Sequence, residues 1–390
     1  MQLLKQLSDS LVMRTDTKFL RYMYHILPWE NRMTALVGPR GVGKTTLLLQ
    51  YIKLNLSTDD TLYVSAESVY FSSHTLFDTA VQFAQMGGKH LFIDEVHKYR
   101  GWSTELKMIY DNLPDLHVVF TGSSVLDIYK GSSDLSRRVL VYSMQGLSFR
   151  EFLNMEWGYD LPVYSLEQIV SGKVDVLGTI GHPLPLFADY LQHGYYPFYK
   201  EMGFGMRLNQ MVSMVLEADI PQYANYSVAV SRKLKELMQV VADSVPFKPN
   251  MTTIATSIKA DRNNLPDYLD LMNRAGLIAT LRESTKGVRS LGKANKLYLD
   301  NTNLAFALSS DKPEIGNIRE TFFFNQMRLN HSVTNSPVSD FLIEGKTFEV
   351  GGKNKGQKQL AGAAEGYVVK DDIETGFGNI LPLWTFGFNY

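Results

Sequence analysis

The chain has 390 residues, 45% hydrophobic and 20% charged, a composition that supports several buried cores and excludes a wholly disordered polypeptide. Its 39 Lys and Arg against 40 Asp and Glu leave a net charge of -1, which excludes a global attraction to nucleic acid or an anionic membrane and confines any such surface to a local patch. The absence of cysteine excludes disulfides, thiolate nucleophiles and zinc–thiolate sites.

The amino terminus, MQLLKQLSDSLVMRTDTKFL, is interrupted by charge every few residues, and no run of 18 apolar residues occurs. Neither a signal peptide nor a membrane span is expected, and the expected location is cytoplasmic. Residues 3–27 have apolar side chains at helical spacing and lead through RYMYHILPWEN into the first of four apolar runs, 34–37, 61–64, 90–93 and 117–121. These read as buried parallel strands with crossover helices between them, so residues 1–155 read as an α/β domain.

Residues 156–227, broken by GHPLPL and GYYPFY, read as a helical linker or lid. Over 228–312 the pattern is helix, turn, short helix, the amphipathic RNNLPDYLDLMNRAGLI, then LIATLRE and KLYLD as a strand pair, which predicts a winged helix-turn-helix. From 313 to 390 the helix IRETFFFNQMRLN precedes the short strands DFLIEG, KTFEV and GYVVK, with GGKNKG as a loop.

The first apolar run ends in Gly38-Pro39-Arg40-Gly41-Val42-Gly43-Lys44-Thr45, which fits G-x-x-x-x-G-K-[ST] and opens, through Thr46, the helical TTLLLQYIKL. Glycines let backbone N–H groups curl around a phosphate, and a helix N-terminus adds partial positive charge at the same point. Lys44 is expected to reach the β and γ phosphates, and Thr45 to offer its hydroxyl to Mg²⁺. Fifty residues after Lys44, the run HLFI delivers Asp94 and Glu95 to a strand end. There Asp94 is expected to serve the Mg²⁺ and Glu95 to polarise the attacking water. The next run, HVVFTGSS, ends in Thr121, Gly122, Ser123 and Ser124, candidates for orienting that water, and Arg137 or Arg138 is a candidate arginine finger.

GPRGVGKTTLLLQ, LFIDEVHKYRGWSTELKMIYDN, VVFTGSS and SRRVLVYSMQGLSFREFL resemble the bacterial and archaeal AAA+ ATPases, most of all those whose carboxy-terminal part is domain of unknown function 4143. The resemblance implies a P-loop NTPase sheet, then a helical and winged-helix region, then an α/β domain like the PD-(D/E)XK nucleases. It also implies nucleotide machinery at Asp94, Glu95, Ser123 and Arg137 or Arg138. DYLQHGYYPFY and VLEADIPQY look like two further family segments, with Tyr195 and Tyr196 in place of Gly and Phe, which favours packing over chemistry.

In the nuclease-like part, Glu320, Asp340 and Glu349 occupy the three acidic, metal-binding positions. Glycine at 351 stands where the lysine belongs, and the nearest amines are Lys353 and Lys355. A degenerate site kept as a binding platform is the simpler expectation. Lys286, Arg289, Lys293 and Lys296, with Lys353, Lys355 and Lys358, form local basic clusters, which Asp261, Asp267 and Asp270 oppose. The eight histidines show no zinc spacing.

The sequence therefore predicts an ATPase using ATP and Mg²⁺, with ADP as product, that drives or gates a switch acting on double-stranded DNA or a protein partner, with homo-oligomers within its range and no membrane partner. The alternative is an ATP-regulated DNA-binding protein or nuclease.

Overall fold

The computed structural model describes the chain except residues 123–134, 136, 245, 284–293 and 357–359. It divides into two compact units, Met1–Gly146 and Leu147–Tyr390.

The first unit begins with α1 (Gln2–Arg14), whose Leu4, Ser8 and Val12 recur every four residues and are buried. Ser8 is the polar member of that stripe, and its hydroxyl accepts the N–H of Tyr63 at 3.0 Å. After α2 (Met23–Ile26) come β1 (Met33–Val37), α3 (Lys44–Asn55), β2 (Thr61–Ser65), α4 (Leu76–Gln85), β3 (His90–Asp94), α5 (Trp102–Asn112), β4 (His117–Gly122) and β5 (Leu140–Ser143).

The five strands form one parallel sheet in the order β2-β3-β4-β1-β5. Such a sheet buries both faces, which is why its central strands read as near-continuous apolar runs. Ala35, Leu36, Val37, Leu62, Ile93 and Val118 are all fully buried. β5 escapes that reading because it is an edge strand whose Leu140 and Val141 are exposed. All strands point the same way, so the ends of β1 and β3 open onto one edge of the sheet, the edge at which ligands of open α/β sheets collect. The parallel sheet with its helices is the expected P-loop NTPase architecture.

In the second unit, α6 (Phe149–Trp157) opens with a capping box in which Ser148 and Glu151 exchange bonds. A helical run follows: α7 (Leu166–Val170), α8 (Leu177–Ile180), α9 (Pro183–His193), α10 (Phe204–Met214), a π-helical turn Val215–Asp219 and α11 (Ile220–Ala224). Next come α12 (Val228–Ser244), α13 (Met251–Ser257) and α14 (Leu265–Arg274), and then β6 (Ile278–Arg282) paired antiparallel with β7 (Ala294–Leu299). After α15 (Thr302–Leu308) and α16 (Ile315–Met327), β8 (Val333–Asn335), β9 (Phe341–Ile343), β10 (Lys346–Gly351), β11 (Gly366–Lys370) and β12 (Ile380–Pro382) form a sheet in the order β12-β11-β10-β9-β8. It is antiparallel from β8 to β10 and parallel from β10 to β12.

The core of this unit is aromatic. Phe323 of α16 meets Phe341, Phe348 and Phe386 at ring distances of 5.0, 5.4 and 4.8 Å. Tyr195 and Tyr196 are fully buried, with the Tyr195 hydroxyl donating to Asp300 at 3.3 Å and that of Tyr196 accepting from Asn301 at 3.2 Å. No helix among the described residues is long and apolar enough to cross a membrane.

Candidate nucleotide site

The phosphate loop leaves β1 through three glycines with positive φ: Gly38 at 154°, Gly41 at 79° and Gly43 at 97°. These are conformations in which a side chain is strained. At Gly38 the requirement is also steric, because a Cβ there would stand 2.2 Å from the carbonyl oxygen of Met144. Gly43 caps α3, so Lys44 is its first residue and the orphan N–H groups of its first turn face the loop.

Lys44 is 4% exposed, and its Nζ donates to the carbonyls of Gly38 at 2.9 Å and Pro39 at 2.8 Å. Its charge is thus folded back onto the loop it belongs to. Pro39 and Val42 are buried, Arg40 is half-buried, and Gly41 and Thr46 are exposed. The Thr45 hydroxyl donates to Asp94 Oδ2 at 2.7 Å, joining the start of α3 to the end of β3.

Asp94 is buried and accepts two further bonds, from the Tyr63 hydroxyl at 2.8 Å and from the Thr121 hydroxyl on Oδ1. Burial first, and then the Asp94 carboxylate beside it, push the Tyr63 phenol well above its ordinary pKa, so it remains a donor. The Thr121 oxygen in turn accepts the Glu95 N–H at 3.0 Å. Glu95 adopts φ 52°, an uncommon left-handed conformation for a non-glycine residue, and its carboxylate lies 3.5 Å from His97 Nε2. Tyr63 carries no sequence signal beyond a polar tip inside an apolar strand.

Ser123 and Ser124 lie outside the described residues. Arg137 is exposed, whereas Arg138 forms a two-pronged pair with Asp111 at 2.8 and 3.0 Å and holds that carboxyl below its usual range. Both arginines precede β5, whose Leu140 pairs with Thr34 near the start of β1. The phosphate loop begins after Val37, at the other end of that strand. At about 3.3 Å per residue the two edges are on the order of 15 Å apart, so the arginines are not brought to the loop of their own chain.

In the second unit, Glu320 of α16, Asp340 beside β9 and Glu349 of β10 do come together. Lys296 of β7 donates to Glu320 Oε2 at 2.6 Å and lies 3.6 Å from Asp340 Oδ1. Lys355 pairs with Glu349, and the Tyr298 and Ser339 hydroxyls donate to Glu320 and Glu349. Asp340 also accepts the Val350 N–H at 3.0 Å. Burial, then the neighbouring Glu320 and Glu349, push the Asp340 carboxyl up to about 6, against the opposing pull of Lys296.

Gly351 explains how Lys355 arrives. A Cβ at this position would stand 2.7 Å from both Cγ and Cδ of Lys355, so the lysine stem crosses the backbone where a side chain would otherwise project. In this arrangement the three expected metal-binding acids are ion-paired with lysines. Their counter-charges are two ammoniums, and among the described residues no group of three or more His, Cys, Asp or Glu is placed to hold a metal. Lys353 is exposed, and Lys286, Arg289, Lys293 and Lys358 lie outside the described residues.

Residues 30–153 match the family model described as AAA domain. That match takes in the phosphate loop, the acidic end of β3 and all five strands of the parallel sheet. Residues 184–314 match a domain of unknown function, DUF8612, and not the 4143 domain that the sequence resemblance implied. Among the curated proteins none matches.

Of solved structures, the Walker-type ATPase PABY2304 of Pyrococcus abyssi is 13% identical, with 76% of this chain and 99% of that chain covered at a TM-score of 0.42. PCH-2 of C. elegans is 16% identical over 69% and 67% of the two chains at 0.26. The S. cerevisiae Hsp104–ADP complex is 15% identical over 67% and 37% at 0.28. With these TM-scores below 0.5, the likeness to AAA domains rests on the family model over residues 30–153 and on the geometry of the phosphate loop and its sheet.

Proposed function

We propose that the protein binds ATP with Mg²⁺ in the phosphate loop, hydrolyses it to ADP, and uses the nucleotide state to gate a conformational change acting on DNA or a protein partner. The observation that carries this reading is the 2.7 Å bond between Thr45 and Asp94, which joins the loop to the acidic strand end. A hydroxyl and a buried carboxylate are hard oxygen donors that suit Mg²⁺, and the three positive-φ glycines form a cradle for phosphate. When bound, the ion would neutralise charge developing on the phosphate oxygens.

The chain's own residues do the rest. Lys44 exchanges the carbonyls of Gly38 and Pro39 for phosphate oxygens, and Tyr63 and Thr121 hold Asp94 in place. Glu95, anchored through its N–H to Thr121, takes the role of general base toward the attacking water. The position of Arg137 and Arg138 supports a role on the loop of a neighbouring copy, which makes turnover depend on self-association. Three helices followed by a strand pair over 228–299 support DNA as one candidate partner.

Steady-state ATP hydrolysis with Mg²⁺, run across protein concentration and with or without double-stranded DNA, tests the reading. Lys44→Ala should weaken ATP binding, and Glu95→Gln should retain binding while losing turnover by roughly 10²- to 10⁴-fold. Normal turnover by Glu95→Gln removes Glu95 from its role, and a wild-type protein that binds no ATP overturns the proposal.

A further inference from the structure

Arg21 lies in neither the sequence motif nor the strand ends, yet its guanidinium is 4% exposed and sits against the back of the phosphate loop. Nη1 donates to the carbonyl of Val42, the residue before the αL cap Gly43. Nη2 donates at 2.8 Å to the carbonyls of both Gln145 and Gly146. One rigid, planar group therefore grips the loop on one side and the last two residues of the first unit on the other.

Two further contacts join the same pieces of chain. The carbonyl of Met144 fills the space where a Gly38 side chain would be, and the Met144 N–H donates to Val37 at 2.8 Å. The Tyr22 hydroxyl, next to Arg21 in sequence, accepts the Gln145 N–H at 3.4 Å. Residues 144–146 are thus fastened to both ends of the phosphate loop, and the chain passes from them directly into the second unit.

We infer that Arg21 is a positioning residue that transmits nucleotide occupancy from the phosphate loop to residues 144–146. Gripping phosphate re-aims the loop amides, and each amide shares its peptide plane with a carbonyl. A displaced Val42 carbonyl carries the guanidinium with it, and the guanidinium carries Gln145 and Gly146. Lysine cannot substitute, because a single ammonium cannot span carbonyls on opposite sides as the five-donor fork does. The inference rests on the proposal that the loop binds ATP.

Hydrogen exchange of the peptide covering 144–146, with and without saturating ATP and Mg²⁺, tests it in the full chain. ATP binding is measured separately by equilibrium titration. In wild type, ATP should slow exchange there by on the order of tenfold. In Arg21→Lys and Arg21→Gln, which should keep a cooperative thermal transition and still bind ATP at higher concentration, that ATP-dependent change should vanish.

A static brace would lower the melting temperature of the variants but leave the ATP-dependent change intact at saturation, and that result overturns the inference. So does a wild type that binds ATP with no change at 144–146. A wild type that binds no ATP refutes the nucleotide-site proposal, and this inference falls with it. If both Arg21 variants unfold, Tyr22→Phe removes only the hydroxyl that accepts from Gln145 and should shrink the change; an undiminished change again overturns it.

Discussion

Gly38→Ala tests how tightly the phosphate loop is fitted to the sheet. The new methyl carbon would stand 2.2 Å from the Met144 carbonyl oxygen and 3.2 Å from its carbon, both backbone atoms. No rotamer change relieves that clash, and retreat of Met144 strains the 2.8 Å bond from its N–H to Val37. Overpacking of this kind costs about 1–3 kcal/mol, and the φ of 154° adds about 1–2 kcal/mol for a residue with a Cβ.

The sum, about 2–5 kcal/mol, corresponds to a fall in melting temperature of roughly 5–15 °C for a unit of this size. Gly101→Ala is the matched control. Gly101 has φ 82° but nothing within 4 Å of its would-be Cβ, so only the backbone cost of about 1–2 kcal/mol applies. Thermal melts by circular dichroism, paired with ATP titration, read both variants. Indistinguishable melts for the two, or wild-type ATP affinity in Gly38→Ala, would refute the reasoning.

Tyr63→Phe deletes one of three hydroxyls on Asp94, and a lost hydrogen bond to a buried carboxylate should cost about 1.5–3 kcal/mol; kcat should fall more than ATP affinity, which single-turnover and titration assays separate. Asp340 titrates near 6 in the folded chain, above the ordinary carboxylate value, so the native state binds its proton more readily than the unfolded chain. Its contribution to stability is present at low pH and is lost as pH rises through about 4–6. Asp340→Asn should therefore melt above wild type at neutral pH, with the gap closing in melts near pH 4; a lower melting temperature at neutral pH would show that the charge on Asp340 is net stabilising.

The four buried strands were legible because parallel strands covered on both faces leave uninterrupted apolar runs, and the observed strands start or end within a residue of those runs. β5 was not, since an edge strand with exposed Leu140 and Val141 has no such run. The loop and the two acids stood out because their chemistry requires fixed residue types at fixed offsets. Tyr63, Arg21 and Lys296 act on partners 31, 124 and 24 residues away in sequence, through contacts that only the fold creates. Arg137 and Arg138 were recognisable as candidates, but which edge of the sheet they occupy depends on the register of β5 with β1.

The lysine that crosses Gly351 has a consequence for how this chain can change. Introducing a lysine at 351 by itself would drive the new side chain against the Lys355 stem, 2.7 Å from the Cβ position. Two lysines would therefore compete for one space beside Glu349, and a side chain at 351 is accommodated only where the Lys355 stem moves aside. That competition couples the two positions and gives Gly351 a reason to stay glycine that has nothing to do with backbone flexibility.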